Sequence, residues 1–166
     1  MIFGDLQAGD AVFVDANTLI YHFTNHPRYG AACTALIERI ELQEVQGFIS
    51  VDCLADMSHR LMTIEAMGRC GWPATGLAAR PKKHHKEIPN LGLYQQAAAQ
   101  VSQLGFQVLP ISESVVLAAT ANCRQFELLT GDALIVALMR HHGLTKLASA
   151  DDDFDRVSGI TRYAPA

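Results

Sequence analysis

Short apolar runs alternate with longer stretches of helical rhythm along most of this chain. The run DAVFVD (10–15) is β-branched and aromatic, and it reads as a buried strand. TLIYHFTN (18–25) follows as a short helix. Pro27 then opens a second helix with an apolar stripe of Ala31, Leu36, Ile37 and Ile40, and Gly47 ends it. GFIS (47–50) is a second strand, and Ser50 is placed to cap the helix VDCLADMSHRLMTIEAM (51–67). FQVLPI (106–111), KLASA (146–150) and GITRYAP (159–165) supply a third, a fourth and a last short strand. Three more helices lie before and between them. LYQQAAAQVSQLG (93–105) closes on Gly105, SESVVLAATANCRQF (112–126) is capped by Ser112, and TGDALIVALMRHHG (130–143) is capped by Thr130 and ended by Gly143.

Strands alternating with helices predict a parallel sheet covered by helices on both faces. No internal repeat or composition shift divides the chain, so residues 1–166 read as a single domain. One stretch breaks the rhythm. GRCGWPATGLAARPKKHHKEIPNLG (68–92) is rich in Gly and Pro and holds a large share of the basic residues. It reads as a long surface loop with a helical turn, and loops of that length in compact domains often serve function. Trp72 is expected to pin it to the body.

Composition narrows the classes. Hydrophobic residues make up 49% of the 166 and charged residues 18%, an ordinary globular balance. A formal net charge of -4 argues against coating nucleic acid by bulk charge, but allows a local basic groove beside an acidic site. Cys33, Cys53 and Cys123 lie in apolar-periodic segments and are expected to be buried reduced thiols. Cys70, His84 and His85 lack the spacing of a zinc finger. The N-terminus has no basic region followed by a long apolar run, so a cytoplasmic protein is the expectation.

The chemistry is in the acids. In an open α/β sheet, ligands gather outside the carboxyl ends of the strands. Asp15 ends the first strand, Asp151 follows the fourth, Asp132 opens a helix, and Asp56 lies one turn inside the helix after the second strand. These residues are expected to meet at one edge without a basic partner. Asp52 reads instead as a complement to the helix dipole, and His141 and His142 suit a helix C-terminus. Carboxylates brought together repel, and a divalent cation removes the conflict. Hard oxygen donors suit Mg²⁺ or Mn²⁺, and such a site activates water and stabilises a phosphodiester leaving oxygen.

VFVDANTLIY, FISVDCLADMSHRL, LTGDALIVALMRHHG and LASADDDFDRV, in this order, resemble the motifs of PIN-domain ribonucleases, most closely the VapC-type toxins. The resemblance covers nearly the whole chain. It implies a three-layer α/β/α PIN-like fold with a central parallel sheet. It also implies an endoribonuclease that needs Mg²⁺ or Mn²⁺, a homodimer, and a VapB-like antitoxin as partner beside the RNA substrate. Carried over, Asp15, Asp56, Asp132 and Asp151 are similar to the family's acidic quartet. Asp15, Asp132 and Asp151 would be the principal metal ligands, with Asp153 as an accessory acid and Asn17 and Ser149 as small polar residues lining the site. The second acid is more often glutamate in that family, so the shorter Asp56 would reach metal through water. The loop is outside what the resemblance explains. There Arg80, Lys82, Lys83 and Lys86 are expected to contact RNA phosphates. Two other readings stand beside this one. One is a PIN-fold scaffold that binds RNA or protein without catalysis, which loss of the acids would mark. The other is a haloacid-dehalogenase-like phosphatase, suggested by DANTL, but Asn17 stands where that motif needs its second acid.

Overall fold

A computed structural model describes residues 1–71 and 85–166. Five strands, β1 (Ala11–Val14), β2 (Gln46–Ser50), β3 (Gln107–Leu109), β4 (Lys146–Ala148) and β5 (Thr161–Tyr163), pair in parallel in the order β3-β2-β1-β4-β5. Parallel neighbours cannot be joined by tight hairpins, so each connection crosses over, through α-helices between the first four strands and through a 3-10 turn, Asp152–Arg156, between β4 and β5. Helices α1 (Ala16–Phe23) and α2 (Gly30–Glu41) join β1 to β2. Helix α3 (Val51–Cys70) leaves β2, and α4 (Leu93–Val101) leads into β3. Helices α5 (Glu113–Phe126) and α6 (Thr130–His141) carry the chain to β4.

The three layers follow from the strand period of two. Successive side chains of β1 point to opposite faces. Val12 and Val14 share one core with Cys33, Leu36 and Ile40 of α2, and Phe13 shares the other with Met57 of α3 and Leu138 and Met139 of α6. These three β1 side chains are fully buried. Ser50 caps α3 by accepting from the Cys53 N–H at 3.0 Å, and Ser112 caps α5 in the same way. The thiols of Cys33 and Cys53 are buried, and burial pushes both up to about 12.

Several local expectations are corrected. Helix α2 begins three residues after Pro27, because His26 Nδ1 accepts from the N–H groups of Arg28 (3.3 Å) and Tyr29 (3.2 Å) and holds a turn there. Gly30 then passes close to the preceding chain; a Cβ would lie 3.0 Å from the Asn25 carbonyl carbon. Ala31 is exposed, and Cys33 takes its place in the buried stripe. Thr130 is not the cap of α6. Leu129 is, in extended conformation and with no side-chain hydrogen bond, after Glu127 turns the chain at φ 55°. Cys123 is half-buried.

The predicted loop at 68–92 starts later than expected, while its end and the helical turn within it are as expected. Helix α3 continues to Cys70 and stops at Gly71, whose φ of 62° is a left-handed conformation that costs glycine little. A 3-10 turn spans His85–Asn90. That turn is fastened to α3. Glu65 accepts from the N–H groups of Gly92 (2.9 Å) and Leu93 (2.8 Å) at the start of α4, and Arg69 pairs with Glu65 at 3.1 Å and donates to the Asn90 carbonyl. A carboxylate on free N–H groups at a helix start makes charge-assisted bonds. Glu65→Ala should therefore destabilise the protein by about 1–3 kcal/mol, and Glu65→Gln by less. Urea unfolding of the three proteins measures the difference.

Candidate functional site

From β1 the chain moves outward to β2 and β3, then returns past β1 to β4. The crevice between the segments following β1 and β4 is a topological switch point, where open α/β sheets take their ligands. Val14 and Ala148 are register partners at the ends of the two strands. The residues that follow them are Asp15 and Ser149.

Asp15 donates its N–H to the Ala148 carbonyl at 3.0 Å and accepts on its own carbonyl from Thr18. It is the N-cap of α1, yet its side chain closes no cap hydrogen bond. An aspartate there usually does. Instead Oδ2 accepts from Ser149 Oγ at 2.8 Å and from Asn17 Nδ2 at 3.1 Å. Asn17 Oδ1 accepts from Arg60, which orients the amide with its NH₂ toward Asp15. Asp15 is only 7% exposed, and burial raises its pKa against the lowering effect of Ser149 and Asn17.

Asp132 stands in the first turn of α6. Its helix start is held by Asn122 of α5, which donates to the Ala133 carbonyl at 3.3 Å and accepts from Arg140 at 3.3 Å. Burial, then the charges of Asp151, Asp15 and Asp153, push the Asp132 carboxyl up to about 6. Asp15, Asp151 and Asp153, from two other segments, thus reach Asp132 electrostatically. A groove of about 500 Å³ opens beside them, with Asp15, Asp52, Asp56, His59 and Asp132 in its wall.

Asp151, Asp152 and Asp153 lie in and before a 3-10 turn, Asp152–Arg156, and can bring one carboxylate oxygen each within 4.8 Å of the others. Among the described residues no trio drawn from different elements is so close. Asp151 also has a local task, accepting from the Asp153 N–H at 2.9 Å, and its own N–H donates to Ser149 Oγ. Asp56 sits on the exposed rim and pairs with Arg60 at 3.7 Å.

The expectation of acids without a basic partner is overturned. Arg156 pairs with Asp153 at 2.8 Å and donates to the Glu127 carbonyl at 3.4 Å, tying the acidic turn to the turn before α6. Arg60 bridges Asp56 and Asn17. Arg60 follows Asp56 by four residues on a helix, a spacing that signals such a pair. Asp52 lines the groove as well as opening α3. Lys86 is exposed on the 85–90 turn, while Arg80, Lys82 and Lys83, with Trp72 and His84, lie outside the described residues.

The donor set is all oxygen, the hard ligands that Mg²⁺ and Mn²⁺ prefer. Mutual repulsion at Asp132 is the conflict a cation relieves. The residues present fit such an ion.

Residues 12–160 match the family model described as PIN domain. Ribonuclease VapC2 of Methanocaldococcus jannaschii is 27% identical over 146 residues, covering 88% of this chain and 88% of that protein. VapBC2 from Rickettsia felis, solved bound to a DNA fragment from its promoter, superposes with a TM-score of 0.58 at 14% identity over 93% of this chain and 98% of its own. Mycobacterium tuberculosis VapC20, described as a sarcin-ricin loop cleaving toxin, gives 0.55 at 18% identity over 87% and 92%. At these identities the two structures speak for the fold, a five-stranded parallel sheet between helical layers. Among the described residues no helix is long and apolar enough to cross a membrane.

Two outcomes follow from the electrostatics. In chelator, folded Asp132 keeps its proton up to about 6, whereas the unfolded chain releases it near the ordinary 3.8. Between those values the native state binds more protons, so stability should fall as pH rises through that window. Asp10 and Asp155, held low by hydrogen bonds from Lys146 and Arg162, act below it. Asp132→Asn should reduce the slope in urea melts taken across the window, leaving the part that Asp15, also raised by burial, contributes in the same direction. At neutral pH, Asp15→Asn should leave the metal-free protein as stable as the parent or more so, since it removes a buried charge. Added Mg²⁺ should raise the melting temperature of the parent and much less that of the variant. A metal-free variant clearly weaker than the parent, with no metal effect on either, would reduce Asp15 to a structural acceptor.

Proposed function

The chain belongs to the PIN-domain family, and on that premise we propose that it is a metal-dependent endoribonuclease of the VapC kind. It hydrolyses RNA phosphodiester bonds, forms one domain over 1–166, and acts as the toxin of a toxin–antitoxin pair. The observation that supports this reading best is the Asp132 carboxyl, pushed up to about 6 by burial and by the charges of Asp151, Asp15 and Asp153 from two other segments. The relative named as a ribonuclease and the solved toxin structures agree with it.

Asp15, Asp132 and Asp151 would hold Mg²⁺ or Mn²⁺, with Asp153 accessory and Asp56 reaching in through water. When bound, the ion lowers the pKa of water and neutralises charge developing on the phosphodiester. The chain's own residues do the rest. Ser149 and Asn17 fix the Asp15 carboxylate through Oδ2, so neither hydrogen bond occupies Oδ1. Arg156 keeps the acidic turn against the start of α6. Arg80, Lys82, Lys83 and Lys86 contact phosphates away from the reacting one. Hydrolysis needs no side chain as nucleophile. A VapB-like antitoxin is the proposed protein partner, and a homodimer the proposed assembly.

RNA cleavage across a Mg²⁺ and Mn²⁺ titration tests the reading. Activity should vanish in excess EDTA and return with either ion. Ser149→Ala and Asn17→Ala, which remove hydrogen bonds to a ligand, should each lose about 10- to 100-fold in metal affinity or rate. Cleavage undiminished by EDTA overturns the proposal.

A further inference from the structure

An aromatic cluster where α1 meets α2 is not used by this chemistry. Tyr21 follows Asn17 by four residues on α1, so it stands one turn along the same helix face, about 6 Å down the axis. Its hydroxyl is raised by burial, lowered by the charge of Arg60 and raised by that of Asp15, so both groups are within electrostatic reach. The ring of Tyr21 lies 4.5 Å from that of His26 and 5.3 Å from that of Tyr29, between centroids. His26 and Tyr29 are stacked at 5.3 Å with planes 10° apart. The guanidinium of Arg28, an exposed residue, lies 4.9 Å from the Tyr29 ring. All three rings are half-buried.

Core packing explains part of this. Tyr21 and Tyr29 rest on the cluster that contains Val12, Val14 and Leu36. Packing asks only for apolar bulk at those positions. It does not ask for three rings and an arginine gathered around Tyr21, a residue one helical turn from Asn17 and within electrostatic reach of Arg60. Unpaired RNA bases bind by stacking on aromatic side chains and guanidinium planes, with cations on the adjoining phosphates.

We infer that Tyr21, His26 and Tyr29, flanked by Arg28 and Arg60, form a shelf that seats an unpaired RNA base beside the scissile phosphate, an inference that rests on the ribonuclease reading above. Arg60 meets the phosphate between shelf and acids. Arg28, on an exposed stem, lifts from Tyr29 and covers the base from the other side. The seat takes single-stranded RNA and tolerates any base, because stacking uses the π-face and not the hydrogen-bonding edge.

The test measures binding, with cleavage blocked by Asp132→Asn in every protein. A fluorescent single-stranded RNA oligomer is titrated by anisotropy, alongside a set of the same oligomer with one abasic ribose moved along the strand. Tyr21→Leu and Tyr29→Leu should each weaken binding roughly 5- to 100-fold, the range of one lost stacking contact. Tyr21→Phe and Tyr29→Phe should keep it. The penalty should disappear for the oligomer whose abasic position leaves the shelf empty. Leu variants that melt like the parent and bind all oligomers as tightly overturn the shelf. So does a loss of equal size at every abasic position, which marks a fold defect or a surface used by a protein instead. Cleavage by the unmutated chain in Mn²⁺ is scored separately. Its failure removes the ribonuclease reading, while coupling between Tyr29 and a single base still decides the shelf.

Discussion

The parallel register of β1 against β4 is the constraint on which the candidate site depends. Val14 opposite Ala148, and the Asp15 N–H on the Ala148 carbonyl, set Asp15 beside Ser149 across 134 residues of sequence. A slip of one residue would turn Val12 and Val14 out of their core and Phe13 out of the other. It would also break the pairing of Ser149 with Asp15. The same packing that buries three β1 side chains completely therefore fixes the first carboxylate. Stability and chemistry share one register.

The cost of that arrangement is electrostatic. A buried carboxylate with other acids around it resists ionisation. The chain answers by spreading its arginines unevenly. Arg162 binds Asp155 through two hydrogen bonds of 2.8 and 2.7 Å and also donates to the Ser149 carbonyl, so the outer part of the acidic turn is neutralised and anchored. Arg156 takes Asp153, and Arg60 takes Asp56. Asp15 is given neutral donors only, and Asp132 is left with its acidic neighbours. Asp15, the most buried acid of the set, and Asp132, raised by burial, are thus left without a cationic partner among the described residues. A cation entering there gains the most, because a small movement of charge in a poorly solvated place has the largest effect. Arg60 has a double part in this, since it neutralises the rim and orients the amide that touches Asp15.

Much of this was legible in the residues. The strands read as short apolar or β-branched runs, with β1 buried on both faces, so all five could be placed, and their alternation with helices implied the parallel sheet. Asp15 and Asp151 were legible because strand ends in such a sheet face one edge, and Asp132 because it opens a helix. Boundaries were less legible. Pro27 and Thr130 are good starting residues by type, but the His26 turn and the left-handed Glu127 moved both helix starts. The start of the long loop was drawn too early because α3 runs through Gly68 to Cys70.

What the sequence determined by itself was local: period, caps, apolar faces, and the kind of oxygen donor at each strand end. These depend on neighbours a few residues apart, and the chain states them directly. Only the tertiary structure decided that Oδ2 of Asp15 receives Ser149, that Arg60 reaches Asn17 and Arg156 the Glu127 carbonyl, and that Tyr21, His26 and Tyr29 gather into one cluster. Those contacts join segments distant in the chain, or depend on the rotamer a side chain takes once the strands are in register. Nothing in residue order encodes them until the packing of β1 between its two cores has chosen the register.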